Sequence, residues 1–458
     1  MEKCFSKKSI CILVSLIIIF AAYVISNFIQ QGMEEVVGLA ILIASLVLWI
    51  SNVIPMSLSI VIMIGIMLLL KIISFEQFVS NVSINTATFV MASSGMALAI
   101  LHSSIPTVVT NNILVKVDER PNFTIFAIGI VVTFFSAFMS SLATCALFSG
   151  IVLAVLKENG IKPNRSNFGK AIMLIIPACA GIGGFMSPAG TPANILIMDI
   201  LNTNGYNISF AQWCIVGFPV GILTSIIFLL SVILVIKPEN IKVNNEKIKV
   251  AKLEKKEKYI VAIVTLVVIN WFISGIFSWL NITLIALIGL LIMLVLKFVK
   301  IKDFFKEMNW DMVFTIGIVT ALMFGINNTG LISSITEVIF SNIKFLSPML
   351  VIIISSLVVC IFRAFIPTTT AVIVLFSPML IGIAEFIGVS IVPYLFILSF
   401  WAASALLIVY TEPIYLISYK EGYFSQKDLL FTGVAPSLIM ILVVSFVIPF
   451  LVNGAGIN

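Results

Sequence analysis

The sequence predicts an all-α polytopic membrane protein with about 11 transmembrane helices and two re-entrant hairpins, arranged as two inverted repeats. Of the 458 residues, 61% are hydrophobic and only 10% are charged, whereas a soluble domain carries about 25% charged residues. The apolar residues fall in many runs of ~20, the length that crosses ~30 Å of hydrocarbon as a helix. One sizeable hydrophilic stretch, residues 237–258, divides the chain into halves of similar length.

The apolar runs define the predicted spans and domains. Eleven complete spans are expected near residues 10–29, 36–53, 56–73, 87–104, 168–200, 210–236, 259–278, 281–299, 311–326, 392–419 and 428–453. Two broken regions, 122–156 and 347–390, have apolar arms of about 15 residues each. We expect these arms to be too short to span twice and to form the re-entrant hairpins. The predicted domains are an N-terminal span (1–35), a first repeat (36–236), a cytoplasmic linker (237–258) and a second repeat (259–458).

The basic residues predict the orientation in the membrane. Placing the N-terminus inside puts 23 of the 26 Lys and Arg residues on the cytoplasmic side, leaves Lys71 and Lys344 outside, and keeps Arg363 within the membrane. Short cytoplasmic loops carry such an excess of Lys and Arg. The first apolar run is too long for a signal-peptide core, so we interpret it as a retained span. The sequence therefore predicts a multi-pass protein of the cell (plasma or inner) membrane, with a cytoplasmic N-terminus and an external C-terminus.

Short matches between the halves occur in the same order in both. Ser140-Ser141-Leu142-Ala143 parallels Thr368-Thr369-Thr370-Ala371, and each precedes a Leu-Phe-Ser sequence. Further along, Gly190-Thr191-Pro192 parallels Tyr410-Thr411-Glu412-Pro413. An odd number of crossings separates the matched elements, which indicates inverted repeats, the usual construction of secondary transporters.

Four interruptions of apolar runs are the candidate functional elements. They are Ser140–Thr144, Phe365–Thr370, the Gly- and Pro-rich stretch Gly181–Asn194, and Tyr410–Pro413. Half-helices that end at the midplane direct N-terminal dipoles at anions and C-terminal carbonyls at cations. Kinks and close-packing glycines are the structural alternative for any one break. Four breaks in two equivalent pairs favour a binding site.

These elements resemble those of the divalent anion/sodium symporter family of the ion transporter superfamily. In that family an SNTAT-type hairpin tip precedes a GTPPN-type break, and here a Ser-Ser-Leu-Ala-Thr tip precedes GGFMSPAGTPAN. The second half has a TTTA tip followed by VYTEPIYLISYKEGYF, where the family has ATPPN and a GYF. The INTAT sequence at 84–88 matches the motif in letters, but the repeat alignment places it at the start of the fourth span. The resemblance covers nearly the whole chain.

The resemblance implies a fold, a mechanism and a set of site residues. In the family the two tips bind substrate carboxylates, and each tip with its facing break coordinates a sodium ion. Position by position, the substrate-binding residues implied here are Ser140, Ser141, Thr191, Pro192, Arg363, Thr368, Thr369, Thr370, Thr411 and Pro413. The implied sodium or proton ligands are Ser140, Ser141, Gly190, Asn194, Thr369 and Glu412. Both motif asparagines are replaced, by Ser141 and Thr369, and Leu142 offers no hydrogen bond to a substrate. A homodimer and elevator-type movement are implied as well.

Two ionisable residues lie within predicted membrane segments, where a charge costs ~2.5–3.5 kcal/mol even on insertion scales. Arg363 precedes the second tip by five residues, and Glu412 lies in the facing break. One interpretation is a mutual ion pair, or an arginine that snorkels to the surface. The other is that Arg363 attracts the anion or replaces a cation, with Glu412 as a proton or cation site.

The predicted function is secondary active transport of small divalent anions, such as succinate, malate or citrate, with sodium as the coupling ion. A proton-coupled or sodium-independent exchanger of the same superfamily, including one for inorganic anions, is the alternative. A channel is disfavoured, because paired hairpins fit alternating access better. A single histidine and the lack of a GxxxxGK[ST] loop also disfavour an intramembrane enzyme or a primary pump. We expect no enzymatic activity, no other cofactor and no nucleic-acid partner; the expected partners are the lipid bilayer, a small anion and a second copy of the chain.

Overall fold

The computed structural model describes residues 33–114, 120–240, 252–277, 279–343 and 345–457, together with a few positions between 12 and 21. All the regular elements in these residues are helices. Most of the predicted N-terminal segment and residues 241–251 of the predicted linker lie outside the described residues, as does Lys344.

Twenty α-helices follow one another through the described residues. The first ten are α1 (Met33–Ser51), α2 (Met56–Leu69), α3 (Phe75–Ser80), α4 (Ile84–Leu101), α5 (Ile105–Leu114), α6 (Pro121–Phe138), α7 (Ser141–Glu158), α8 (Asn167–Gly184), α9 (Pro192–Thr203) and α10 (Phe210–Ile236). The second ten are α11 (Lys255–Ile273), α12 (Ile282–Val295), α13 (Ile301–Glu307), α14 (Trp310–Asn328), α15 (Leu331–Ile343), α16 (Pro348–Arg363), α17 (Thr369–Ile387), α18 (Val392–Ala403), α19 (Pro413–Tyr419) and α20 (Gln426–Gly454).

Lengths and apolar character identify the membrane-spanning candidates. Nine helical stretches in the described residues are long and apolar enough to cross a membrane, and four shorter apolar helices accompany them. The four shorter helices are α2, α12, α16 and α18. The chain is therefore an all-α polytopic membrane protein, as the composition predicts.

Corresponding helices in the two halves begin with the same kinds of N-terminal residue. Proline occupies the first turn of α6 and α16, and again of α9 and α19, where its missing N–H costs nothing. Helices α10 and α20 each begin with a serine capping box, at Ser209 and Ser425. The second ten helices thus repeat the order of long and short elements of the first ten, as expected for an internal repeat.

The helices pack as two groups. In one group α4 lies against α12 and α14 lies against α2, with α1 and α11 alongside. In the other, α6 to α10 pack with α16 to α20, and the most extensive packing is that of α6 on α8 and of α10 on α20. Helices α5 and α15 connect the groups in sequence. The elements of each half therefore contribute to both groups.

Two features of the prediction differ from the structure. Both arms of the first broken region are 18 residues long, so the argument that ~15-residue arms are too short does not hold for this hairpin. Helices α5 and α15, which have only 10 and 13 residues, are not among the predicted elements. These helices mix polar and apolar residues, and such short elements do not produce a transmembrane-length apolar run.

Candidate functional site

The first hairpin turns between α6 and α7 through two residues, Met139 and Ser140. The backbone of Met139 is extended, and Ser140 is the N-cap of α7 without using its side chain as a cap. Before the turn, the Ser136 hydroxyl donates to the Ala180 carbonyl at 2.5 Å, and its Oγ lies 3.1 Å from Oγ of Ser141. The tip is thereby held against the C-terminal end of α8 by hydroxyl groups that carry no charge.

The first break, residues 185–191, separates α8 from α9 and is held by Asn194. The Asn194 amide group donates to the carbonyls of Gly184 (2.7 Å), Phe185 (3.3 Å) and Ser187 (2.6 Å). Its side-chain oxygen accepts a hydrogen bond of 2.7 Å from Ser399 of α18. Asn194 is fully buried. One amide thus satisfies the carbonyls freed where α8 ends, which an apolar setting requires.

Glycine residues allow the first break to pack closely against the first hairpin. A Cβ on Gly183 would lie 2.2 Å from the Thr133 carbonyl oxygen, and one on Gly184 would lie 2.3 Å from Oγ of Ser141. A Cβ on Gly190 would lie 2.5 Å from the Gly184 carbonyl oxygen and 2.7 Å from that of Ser136. Only glycine permits approaches this close. The Gly-rich composition of 181–190 is therefore a packing requirement of the tip.

The second hairpin turns over a longer segment, between Arg363 at the end of α16 and Thr369 at the start of α17. Thr368 is the N-cap of α17, and its side chain accepts from the Ala371 N–H at 3.3 Å. Thr368, Thr369 and Thr370 are all half-buried. The second tip therefore presents three hydroxyl groups around a helix N-terminus.

Arg363 binds the second break to the second tip. Its Nε donates to the Ala402 carbonyl at 2.9 Å, and one terminal nitrogen donates to the carbonyls of Ile366 (2.7 Å) and Thr411 (3.1 Å). The other terminal nitrogen forms an ion pair with Glu412. The arginine side chain is 1% exposed. Of the two interpretations of these residues, the mutual ion pair is the arrangement in the structure.

The second break, residues 404–412, contains one 3-10 turn and has a further support. Gln426, at the start of α20, donates to the Leu407 carbonyl and accepts from the Val409 N–H, both at 2.8 Å. Glu412 is the N-cap of α19 but makes no side-chain cap. Its carboxylate forms the ion pair with Arg363 instead.

The two halves interlock around these elements. The second arm of each hairpin packs on the helix that follows the break of the other half, α7 on α19 and α17 on α9. Ser149 of α7 and Ser418 of α19 are 2.6 Å apart at this packing. The tips and breaks of both halves therefore belong to one helix group.

A small cavity lies where the first tip and break face the other helix group. It has a volume of about 10 Å³, and its lining includes Ser140 and Thr191 on one side and Ser93, Ser94 and Met312 on the other. This is about the space that one water molecule requires. The first tip is thus nearly closed off against α4 and α14.

The predicted site residues fall into three groups. The residues Ser140, Ser141, Gly190, Thr191 and Pro192 lie at the first tip and its facing break. Around the second tip and break are Arg363, Thr368, Thr369, Thr370, Thr411, Glu412 and Pro413. Asn194 is the exception, because its amide is used within the break, and a role as cation ligand has to compete with those hydrogen bonds.

Sequence reasoning missed several residues that hold the site together. Ser136, Ser399 and Gln426 each make a hydrogen bond that fixes a tip or a break. Trp213 is fully buried and donates to the Phe185 carbonyl at 3.0 Å. Polar residues inside apolar helices were the available signal for Ser136 and Ser399, since such residues are buried with a partner.

Known proteins resemble the chain over most of its length. The family model for citrate transporters (CitMHS) matches residues 46–375. An uncharacterized transporter of Haemophilus influenzae is 20% identical over 424 residues, covering 89% of this chain and 90% of that protein. The sodium-dependent dicarboxylate transporter SdcS of Staphylococcus aureus is 24% identical over 445 residues, covering 90% and 85%.

A solved structure shares the fold. The Alcanivorax borkumensis YdaH transporter superposes with a TM-score of 0.54 at 11% sequence identity, covering 83% of this chain and 87% of that one. These matches confirm the resemblance stated from the tip and break motifs. Because the family model spans more than half of the sequence, the chain belongs to the citrate transporter family.

Proposed function

We propose that this protein is a sodium-coupled symporter of small di- and tricarboxylates, such as succinate, malate and citrate. The observation that carries the proposal is that each hairpin is fixed to the broken helix of its own half, by the bond of Ser136 to Ala180 in one and by the bonds of Arg363 to Ala402 and Thr411 in the other. With the interlocked halves, this gathers several helix termini in one helix group. Helix termini within a membrane are the usual ion and substrate sites of secondary transporters.

The anion is bound through helix N-termini and hydroxyl groups. Helices α7, α9 and α17 begin at Ser141, Pro192 and Thr369, with Ser140, Thr191 and Thr368 as their N-caps. A helix N-terminus presents free N–H groups and a positive dipole end to a carboxylate. Side-chain hydroxyls add donors without a fixed charge. A dianion therefore needs few basic residues at this site.

The coupling cation binds at the first tip. Oxygen atoms of Ser136, Ser141 and the Gly184 and Gly190 carbonyls lie close together there, at the C-terminal end of α8. Hydroxyl and carbonyl oxygens of this kind coordinate sodium in transporters. The SdcS relative is named for sodium-dependent dicarboxylate transport, which supports the same pairing of ion and substrate here.

Transport proceeds by movement of one helix group against the other. The group with the tips contacts the other through Asp199 of α9, which accepts a hydrogen bond from Ser83, and through apolar packing such as that of Phe210 of α10 on Trp271 of α11. The described residues thus make few hydrogen bonds between the groups, and a sliding motion exchanges such contacts readily. We propose that α1 to α4 and α11 to α14 form the fixed scaffold and the surface of a homodimer, with the N-terminus cytoplasmic and the C-terminus outside.

Uptake into proteoliposomes tests the proposal. The purified protein is reconstituted, and accumulation of radiolabelled succinate and citrate is measured with an inward sodium gradient and with choline in place of sodium. We expect accumulation that requires sodium. If neither acid is taken up or exchanged under any gradient, the anion assignment is wrong.

A sodium-independent exchanger is the second candidate, favoured by the Arg363–Glu412 pair. A permanent cation at the second break reduces the need for a mobile one. Counterflow with succinate on both sides and choline as the only external cation separates the two. Rapid counterflow without sodium, and no net uptake with it, identifies an exchanger.

A further inference from the structure

Arg363 occupies a position in the second half that has a neutral counterpart in the first. Helices α6 and α16 both begin with a first-turn proline, and Ser136 and Arg363 follow it at the same distance (121 to 136 and 348 to 363). Both side chains donate to a carbonyl near the C-terminal end of the next broken helix, Ala180 in α8 and Ala402 in α18. The two residues therefore fill equivalent places with a hydroxyl group and a guanidinium.

The surroundings of the guanidinium are those that a cation prefers. Three main-chain carbonyls, of Ile366, Ala402 and Thr411, point at it from the tip, the end of α18 and the break. The Glu412 carboxylate completes the shell. Helix C-terminal carbonyls carry partial negative charge, and a carboxylate in an apolar setting requires a positive partner.

We propose that Arg363 is a tethered cation that permanently fills the second of two equivalent cation positions. The proposal rests on the proposed function, because it identifies which coupling site is mobile. Only the first tip, where Ser136 leaves the position uncharged, then exchanges its cation during transport. The second tip keeps its charge balance through the Arg363–Glu412 pair in every step of the cycle.

Space next to Arg363 fits this assignment. A cavity of about 10 Å³ is lined by Arg363, Ser404, Thr411 and Ser437. The hydroxyls of Ser404 and Ser437 are buried and make no hydrogen bond in the structure. Four of the five guanidinium N–H groups have partners among the contacts above. Shortening Arg363 would merge its own volume with this cavity, leaving room for a small hydrated cation among oxygen ligands.

The decisive variant is Arg363→Ser, which copies the residue of the first half and leaves Glu412 without its cation. Thermal unfolding of the purified variant is measured in detergent without substrate, in choline, in sodium and in low millimolar guanidinium chloride. We expect the unfolding temperature to rise with sodium and with guanidinium, because each would replace the lost charge and bind only the folded state. The wild type should respond less to both.

Three further variants sharpen the test. Arg363→Lys keeps a tethered charge and should respond to sodium as the wild type does. Arg363→Ser/Glu412→Gln removes the carboxylate and should lose most of the added sodium response. Arg165→Ser removes one exposed positive charge in the loop before α8 and should leave the response at the wild-type level.

Equal responses to sodium and guanidinium in Arg363→Ser and the wild type overturn the proposal. So does an Arg363→Ser variant that is recovered equally poorly with and without these cations. Because unfolding is measured without substrate, the outcome does not depend on which anion is transported. A protein that takes up no dicarboxylate but gains a sodium response through Arg363→Ser would refute the proposed substrate while leaving the cation assignment intact.

Discussion

The two breaks have the same layout and are stabilised by opposite means. In each, a helix ends beside a hairpin tip, a short segment follows, and a new helix begins with proline, at Pro192 or Pro413. The first break is held by Asn194, a neutral amide that donates to three carbonyls. The second is held by Arg363, which donates to three carbonyls and pairs with Glu412.

The difference follows from one requirement. Carbonyls freed by a break within the membrane need donors, and an amide or a guanidinium supplies them equally well. An amide leaves the region uncharged, so that an ion can enter and leave. A guanidinium brings its own charge and, with it, the need for a carboxylate. In our proposal, this shared layout of helices supports an exchangeable site in the first half and a fixed charge in the second.

The largest effect is expected from separating Arg363 and Glu412. Arg363→Leu leaves the Glu412 carboxylate and three carbonyls without a donor, and removing one partner of a buried pair costs about 3–5 kcal/mol. Glu412→Gln removes the opposite charge and should also destabilise the fold. The double variant should recover part of the loss. Unfolding midpoints of the two single variants and the double variant measure the coupling, and strictly additive losses would show that the pair does not interact.

A smaller effect is expected at the neutral break. Asn194→Asp keeps the shape but places a carboxylate oxygen against the Gly184 and Ser187 carbonyls in place of the amide donor. Each buried group left without a partner costs about 1–3 kcal/mol. Asn202→Asp, an exposed position on the same helix, is the control and should be nearly neutral. Comparable stability of the two variants would contradict the role assigned to the Asn194 amide.

More of the fold than of the candidate site could be predicted from the sequence. Apolar runs located most of the long helices, and the start of α4 at Ile84 confirms that the INTAT sequence begins a helix and does not form a tip. The pairing of Arg363 with Glu412 was one of two sequence interpretations. It could not be decided, because a charge in an apolar run indicates that a partner exists but does not identify it.

The hydrogen-bond partners of Asn194 could not be predicted from the sequence either. Its place in a motif-like sequence suggested a cation ligand, yet its partners include Ser399, which lies 205 residues away. Short helices such as α5, and hydroxyls such as that of Ser136, leave too weak a pattern in the sequence. Their importance depends on the close packing of glycines against a neighbouring helix, which only the three-dimensional structure displays.

Packing at the first tip gives the third prediction. Gly184→Ala would bring a Cβ within 2.3 Å of Oγ of Ser141, and overpacking of this kind costs about 1–3 kcal/mol. The tip must shift, so we expect reduced uptake with a higher KM. Gly150→Ala, on α7 with nothing within 4 Å of the added Cβ, is the matched control. Uptake kinetics of both variants decide, and an unchanged KM in Gly184→Ala would show that the tip contact does not position the substrate or its ion.

The smallest effect should come from single hydroxyl groups at the two tips. Ser141→Ala and Thr369→Ala remove one oxygen each from the proposed sites. A single hydrogen bond contributes about 0.5–1.5 kcal/mol, which corresponds to a loss of affinity of about twofold to thirteenfold.

Removing a hydroxyl group should weaken the binding of a different ion at each tip, sodium at the first and the substrate anion at the second. Ser141→Ala should raise the sodium concentration needed for half-maximal uptake, because in our proposal only the first tip exchanges its cation. Thr369→Ala should raise the KM for the anion with little change in sodium dependence, because Arg363 supplies the charge there. Ser377→Ala removes a buried hydroxyl without a hydrogen-bond partner farther along α17 and serves as the control. Equal sodium shifts in both tip variants would show that the halves use their cation positions alike, and would remove the distinction between the exchangeable and the fixed site.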